Sequence, residues 1–111
     1  MAVTDLVQKK CVACEAGMSA FTRAEAEALM AQVPGWELDA DARSISKTFK
    51  FKDFAQALEF VNNVGAIAES EGHHPDIEFG WGKAKISLTT HAIKGLSEND
   101  FILAAKIDKI A

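Results

Sequence analysis

A β-hairpin pattern centred on Gly82-Lys83 is the feature that most constrains how this 111-residue chain folds. Apolar and polar residues alternate on both sides of the dipeptide, and glycine at the first central position is what a two-residue type II′ turn requires. This register places three cross-strand pairs on one face: Trp81 with Ala84, Phe79 with Ile86, and Ile77 with Leu88. We therefore expect that face to pack against helices and the opposite face to stay open.

The same register predicts where the histidines lie. One further step along it places His74 directly across from His91 on the open face, and His73 is the next residue in the chain. All three histidines of the sequence therefore fall in one corner. Pro75 cannot donate a hydrogen bond to the ladder, so the pairing is approximate at this end.

Capping signals locate the first and the last helix. Thr22 with Glu25, and Ser97 with Asp100, have the spacing of a capping box, in which a serine or threonine and an acid three residues later satisfy each other's backbone N–H groups. Pro34-Gly35 is expected to end the first helix. Two strands follow it, over residues 36–40 and 43–51, and Trp36 is predicted to be a core residue.

A long helix is predicted from Asp53, its N-cap, to Glu71, with Gly72 as a left-handed C-cap. Its broad apolar stripe comprises Phe54, Ala57, Leu58, Val61, Val64, Gly65 and Ala68. The element order is α-β-β-α-β-β-α. This order predicts an α+β fold in which helices pack on one face of a four-stranded antiparallel sheet.

Length and charge restrict the function classes. At this length the chain is one domain, which we expect over residues 19–111 after an N-terminal arm of residues 1–18. A net charge of −4 with scattered lysines disfavours binding to nucleic acid. No apolar run has the length of a membrane span, and the first ten residues lack the apolar core of a secretory signal. A cytoplasmic protein is the expectation.

Cys11 and Cys14 are the only cysteines of the chain. A gap of two residues disfavours a structural disulfide, and a closed zinc site needs four ligands, whereas no second pair is present. Solvated thiols in a loose arm are the favoured interpretation.

Three interpretations of the histidine corner remain open at this point. Histidines near strand ends can simply solvate a sheet edge. Two neighbouring imidazoles can also act as acid and base together, because their pKa lies nearest to physiological pH. Three histidines and a water can bind zinc, but the side chains of His73 and His74 diverge on an extended backbone. Convergence of all three favours acid–base chemistry.

Five spaced elements resemble one known family. Glu69 stands four residues before His73-His74-Pro75, Trp81 stands six after Pro75, His91 ten further on, and Asp100 nine beyond that. This pattern is similar to the signature of the pterin-4a-carbinolamine dehydratases, on a matching frame over residues 22–111. The cysteine-containing arm resembles bacterial members, and no motif position departs from the pattern.

The resemblance implies a lyase that dehydrates 4a-hydroxytetrahydropterin to quinonoid dihydropterin and water, without a metal or organic cofactor. The substrate would come from an aromatic amino acid hydroxylase, such as phenylalanine hydroxylase. His73 and His91 would form the acid–base pair, and His74 would bind the pterin and share in proton transfer. Pro75, Thr90 and Ala92 would line the pocket beside the histidines.

Other motif residues have structural interpretations as well. Asp100 is expected to cap the last helix and also to orient a histidine, two roles that are compatible. Glu69 is either a solvated acid or a partner for His73. Trp81 is expected to pack in the core rather than to stack on the pterin.

A non-catalytic alternative shares the fold. Animal relatives also act as dimerisation cofactors of a homeodomain transcription factor, so an assembly adaptor is the competing function. A pure adaptor has no use for three histidines, and this argues for the enzyme. Family members are dimers or tetramers, and a homodimer or homotetramer is expected here because one small sheet leaves apolar surface uncovered.

Overall fold

The computed structural model of the chain describes Leu6, Gln8, Lys9, Cys11 and residues 19–111. Its elements follow in the predicted order: α1 (Arg23–Met30), β1 (Glu37–Leu38), β2 (Ile45–Lys50), α2 (Phe54–Glu71), β3 (Asp76–Gly80), β4 (Lys83–Leu88), a short 3-10 helix (His91–Ile93) and α3 (Glu98–Ile110). Among the helices of these residues, none combines the length and apolar character that a membrane crossing needs.

One antiparallel sheet with the order β1-β2-β4-β3 forms the centre of the fold. Strand β4 lies inside it, and its alternation is clean: Ala84, Ile86 and Leu88 are fully buried, whereas Lys83 and Lys85 are exposed. Because successive strand residues point to opposite faces, the helices cover one face only. The α+β prediction is confirmed.

The predicted hairpin register is wrong by two residues. Gly80 pairs with Lys83, so Trp81-Gly82 forms the turn, and Phe79 pairs with Ala84 and Ile77 with Ile86. Gly82 has a φ of +74° at the second central position, as a type II turn requires. Its carbonyl accepts a hydrogen bond from the Phe51 N–H at 2.8 Å, which fixes the turn from the neighbouring strand.

A shift of two residues keeps each side chain on its predicted face, since the side-chain period is two. It nevertheless moves Trp81 out of the strand, where its side chain is 72% exposed, so the prediction of a core tryptophan was wrong there. The ladder also ends at the pair Asp76–Ser87, and the predicted rung between His74 and His91 does not form.

Helix boundaries agree closely with the capping signals. Thr22 caps α1 in a capping box with Glu25, Asp53 caps α2, and Gly72 ends α2 in the left-handed conformation. The stripe of α2 is rotated from the predicted one: its buried residues are Ala57, Phe60, Val64 and Ala68. Phe60 packs on Phe49 and Phe51, and this contact turns Phe54 and Leu58 towards solvent.

A tryptophan and a partly buried ion pair join α3 to the sheet. Trp36 is buried as predicted, and its indole N–H donates to Asp108 of α3 at 3.1 Å. Lys47 lies on the covered face of β2 between Ile45 and Phe49, and its ammonium donates to the same carboxylate at 2.9 Å. The Asp108 carboxylate of α3 thus accepts hydrogen bonds from both the Trp36 indole and the Lys47 ammonium.

The described residues of the arm contact the domain. Leu6 belongs to the core cluster, and Cys11 is half-buried rather than the solvated thiol that we expected. Cys14 lies outside the described residues, and the boundary between arm and domain stays a prediction.

The strand alternation in β4 gives a stability test. We expect Ile86→Ala to lower the free energy of unfolding by about 2–5 kcal/mol, because it leaves a cavity between sheet and helices. Lys85→Ala, one residue away on the open face, is expected to cost less than about 0.5 kcal/mol. Urea unfolding followed by circular dichroism measures both, and equal costs would contradict the assignment of faces.

Candidate active site

Two loops meet at one end of the sheet because β3 and β4 are antiparallel. His73 and His74 precede β3, whereas the segment 89–97 follows β4 and leads into α3. Gly72, with a φ of +67°, turns the chain at the end of α2, and the His73 N–H bonds back to the Ala68 carbonyl. This bond over six residues is that of a Schellman motif, and it fixes the direction in which His73 leaves the helix.

A histidine–carboxylate pair lies at the centre of this end. Nε2 of His73 is 2.6 Å from Oδ1 of Asp100, in the first turn of α3. The Asp100 side chain is fully buried and that of His73 is 11% exposed. A buried carboxylate is stable only with hydrogen-bond donors around it, so the pair defines the position of the imidazole.

The second oxygen of Asp100 binds two further groups. Oδ2 accepts hydrogen bonds from the Thr90 hydroxyl at 2.8 Å and from the Ser97 N–H at 3.0 Å. The Thr90 and Ser97 hydroxyls are in turn 2.8 Å apart. Asp100 therefore closes the capping box and holds His73, so both predicted roles of this residue are found together.

The loop that carries His91 is held in shape by its own backbone. Thr90 and Gly95 form an isolated bridge, with the Thr90 N–H 2.8 Å from the Gly95 carbonyl. Between them the chain makes the 3-10 helix, on which His91 and Ala92 are exposed. In the described part of the chain, the ring of His91 has no hydrogen-bond partner. The buried Thr90 thus connects the loop of His91 to the pair formed by His73 and Asp100.

His74 lies on the solvent side of the same corner. Its Nε2 is 2.7 Å from Oε2 of Glu69, and both side chains are mostly exposed. Of the two alternatives for Glu69, the solvated acid is found, since its side chain is 79% exposed, and the predicted contact with His73 does not form because its histidine partner is His74. An exposed pair of this kind contributes little to stability. Pro75 is half-buried next to it, at the entrance to β3.

This arrangement suits proton transfer. Nε2 of His73 is engaged by Asp100, so Nδ1 is the ring nitrogen left to exchange a proton with a substrate. His91 and His74 have exposed rings that a substrate can reach. Within the residues described, no three histidine, cysteine or acidic side chains are placed to share one metal ion.

The sequence prediction missed one contact in this network. Thr90 was expected to line a pocket with its backbone, which stays a prediction, but the bond from its hydroxyl to Asp100 was not foreseen. A hydroxyl residue just before His91, at the end of a strand of buried residues, was the available signal. It was insufficient because a threonine in that place can equally bond to its own loop.

Comparisons with known proteins agree with the fold and the motif. The pattern of the pterin 4 alpha carbinolamine dehydratase family matches residues 19–110. A protein of Halorhodospira halophila, provisionally named pterin-4-alpha-carbinolamine dehydratase, is 52% identical over 105 residues, 95% of this chain and 96% of its own. A protein of Methylococcus capsulatus with the same provisional name is 47% identical over 111 residues, all of this chain and 97% of its own.

Two solved structures share the fold. The transcriptional coactivator/pterin dehydratase of Brucella melitensis superposes with a TM-score of 0.79 at 30% identity, over 84% of this chain and 99% of its own. A pterin dehydratase-like protein, described as a RuBisCO assembly factor of the α-carboxysome, gives a TM-score of 0.61 at 28% identity, over 70% of this chain and 90% of its own. With its fold, its histidine motif and relatives covering nearly its whole length, the chain belongs to the pterin 4 alpha carbinolamine dehydratase family.

Proposed function

We propose that the protein dehydrates 4a-hydroxytetrahydropterin to quinonoid dihydropterin and water, as a step in the recycling of tetrahydropterin after aromatic amino acid hydroxylation. The observation that carries this proposal is the contact of 2.6 Å between His73 and the buried Asp100, at the sheet end that also carries His74 and His91. Membership of the family supports the substrate class. We place the reaction in the cytoplasm, with phenylalanine hydroxylase as a functional neighbour.

The elimination is balanced by two proton transfers. A base removes the proton of ring N5, and the electron pair of that N–H bond forms the C4a–N5 double bond. The C4a–O bond breaks as an acid protonates the hydroxyl, which leaves as water. No electrons are lost or gained, and each positioned group contributes about 10²–10⁴-fold to the rate.

The contacts of the three histidines support a division of roles. His73 acts as the base through Nδ1, because Asp100 holds Nε2 and stabilises the imidazolium that forms. His91, exposed on the neighbouring loop, donates the proton to the leaving hydroxyl. His74, paired with Glu69, binds and orients the pterin. Pro75, Thr90 and Ala92 line the pocket between them.

An assembly adaptor is the second candidate function. The relative described as a RuBisCO assembly factor shows that a similar chain has a role of this kind. This chain also exposes an aromatic patch, formed by Phe54, Leu58, Phe79 and Trp81, in which the Phe54 and Phe79 rings lie 5.5 Å apart. An exposed apolar patch is typical of a protein interface.

We propose that a second copy of the chain covers this patch. Strand β3 forms an edge of the described sheet, and β1 at the other edge has only two residues. Unpaired backbone groups of β3 beside the patch suit an isologous contact, in which the same surface of each copy takes part. A homodimer, or a homotetramer built from two of them, is the expected assembly.

Stopped-flow measurement of 4a-carbinolamine decay tests the proposed reaction directly. We expect the protein to accelerate the decay well above the spontaneous rate at equal pH and buffer concentration. A decay unchanged by added protein would leave the adaptor as the better function.

Replacement of the histidines tests their roles. His73→Ala and His91→Ala are each expected to lower kcat at least about tenfold, because each removes one of the two proton-transfer groups. His74→Ala is expected to act mainly on KM. Circular dichroism checks that each variant is folded, and near-normal kcat in either of the first two variants would remove that histidine from the mechanism.

The Asp100→Asn variant distinguishes the role of Asp100 in orienting His73 from its role in capping α3. The change keeps the shape of the side chain but removes the charge that holds His73, and we expect kcat to fall by at least about tenfold. Ser97→Ala is the matched control, since it removes the capping hydroxyl at a cost of about 1 kcal/mol in stability and keeps the Asp100 side chain against His73. Equal losses of kcat in both variants would show that capping alone accounts for the effect.

Trp81→Glu tests the self-association. A charge in place of Trp81, the most exposed of the four patch residues, is expected to weaken assembly by at least about tenfold in Kd. Arg43→Glu, a charge reversal at an exposed position before β2, at the end of the sheet opposite the turn that carries Trp81, is the control. Light scattering after gel filtration gives the mass of each species, and a monomeric wild type would contradict the proposed interface.

A further inference from the structure

Glu71 is an acid whose side chain is only 5% exposed, at the last position of α2. Glutamate is seldom buried to this extent without partners, and two of the partners of Glu71 come from α3 and from the arm. Its Oε2 is 3.2 Å from the Lys106 ammonium of α3, and its Oε1 accepts a hydrogen bond from the Cys11 N–H at 2.8 Å. One carboxylate therefore joins both long helices to the N-terminal arm.

The arm also contacts the first turn of α3. The Cys11 thiol lies 3.6 Å from the Asn99 carbonyl, and the Lys9 ammonium pairs with Glu98. Leu6 anchors this part of the arm in the hydrophobic core. These contacts reach α3 at the residues directly before Asp100.

The arm therefore contacts residues next to each partner of the pair formed by His73 and Asp100. Glu71 precedes His73 by two residues, and Asn99 precedes Asp100 by one. The two partners come from different elements, 27 residues apart, so their separation depends on how the end of α2 sits against the start of α3. Contacts that hold the end of α2 against α3 therefore also fix the distance between His73 and Asp100.

We propose that the N-terminal arm is a working part of the active site and that Glu71 is the positioning residue through which it acts. Glu71 reaches the start of α3 through Cys11, whose thiol contacts the Asn99 carbonyl, and binds Lys106 further along the same helix, so it keeps the end of α2 in the register that places His73 on Asp100. Glu71 itself does not touch the reacting atoms. The kinetic consequence rests on the proposed dehydratase function, whereas the structural consequence does not.

Proton NMR provides a readout that is independent of activity. A hydrogen bond as short as 2.6 Å between a ring N–H and a buried carboxylate is expected to give a downfield, slowly exchanging Nε2–H signal. Its loss in Asp100→Asn assigns the signal. In Glu71→Ala we expect this proton to exchange with water at least about tenfold faster, because the pair loses its support. Glu71→Gln, which keeps an oxygen acceptor for the Cys11 N–H, should give an intermediate rate.

Two controls separate positioning from general stability. Phe60→Leu weakens the core far along α2, and Arg23→Ala removes an exposed ion pair of α1, away from the arm and the histidines. Both are expected to keep the downfield signal and its exchange rate, even though the first lowers the melting temperature. An equal effect of Phe60→Leu and Glu71→Ala on this signal would overturn the proposal.

A variant in the arm tests the same idea with Glu71 in place, should Glu71→Ala not fold. Cys11→Pro removes the N–H that donates to Glu71, and Cys11→Ala keeps it while removing the thiol. We expect faster exchange and a kcat lowered about tenfold, at similar KM, in Cys11→Pro alone. Unchanged exchange in Cys11→Pro would contradict the role of the arm. If the wild type shows no dehydratase activity, the exchange rates alone decide, so the two proposals fail separately.

Discussion

A carboxylate that has been taken out of water must be surrounded by donors, and Asp100 meets this demand with groups from three parts of the chain. The Ser97 N–H belongs to the start of α3, the Thr90 hydroxyl to the loop after β4, and the His73 ring to the segment after α2. These three segments lie at different places in the sequence, and Asp100 is the residue that all of them contact. Because leaving one of the donors without its acceptor is costly, the carboxylate holds the three segments together at one end of the sheet.

Local signals were sufficient for most of the fold, and a tertiary contact explains where they failed. The capping residues Thr22 and Asp53, and Gly72 at the end of α2, act within a few residues of chain, so their patterns gave correct helix boundaries. The hairpin turn depends on a neighbour instead. The Phe51 N–H binds the Gly82 carbonyl from strand β2, and no rule about the turn residues themselves includes this bond.

The position of the histidines in the fold could be predicted from the sequence, but their contacts could not. Spacing in the sequence placed the three histidines at one end of the second hairpin, because antiparallel strands return to the same edge. The partner of each histidine could not be predicted, since Gly72 turns the chain so that Glu69 meets His74, and His73 turns inward to Asp100. The arm was the least predictable part: its sequence shows no periodicity, and its anchor, Glu71, is an ordinary helix residue by pattern.

The two tryptophans of the chain differ in their exposure to solvent, so their fluorescence reports on two different parts of the molecule. Trp36 is 5% exposed and in contact with Asp108, whereas Trp81 is 72% exposed in the turn between β3 and β4. Iodide in the buffer would quench the fluorescence of Trp81 where no second copy covers it and leave that of Trp36, and unfolding would shift the emission of Trp36 to longer wavelength. Without an added label, Trp81 therefore reports on binding at the sheet edge, and Trp36 reports on unfolding of the hydrophobic core.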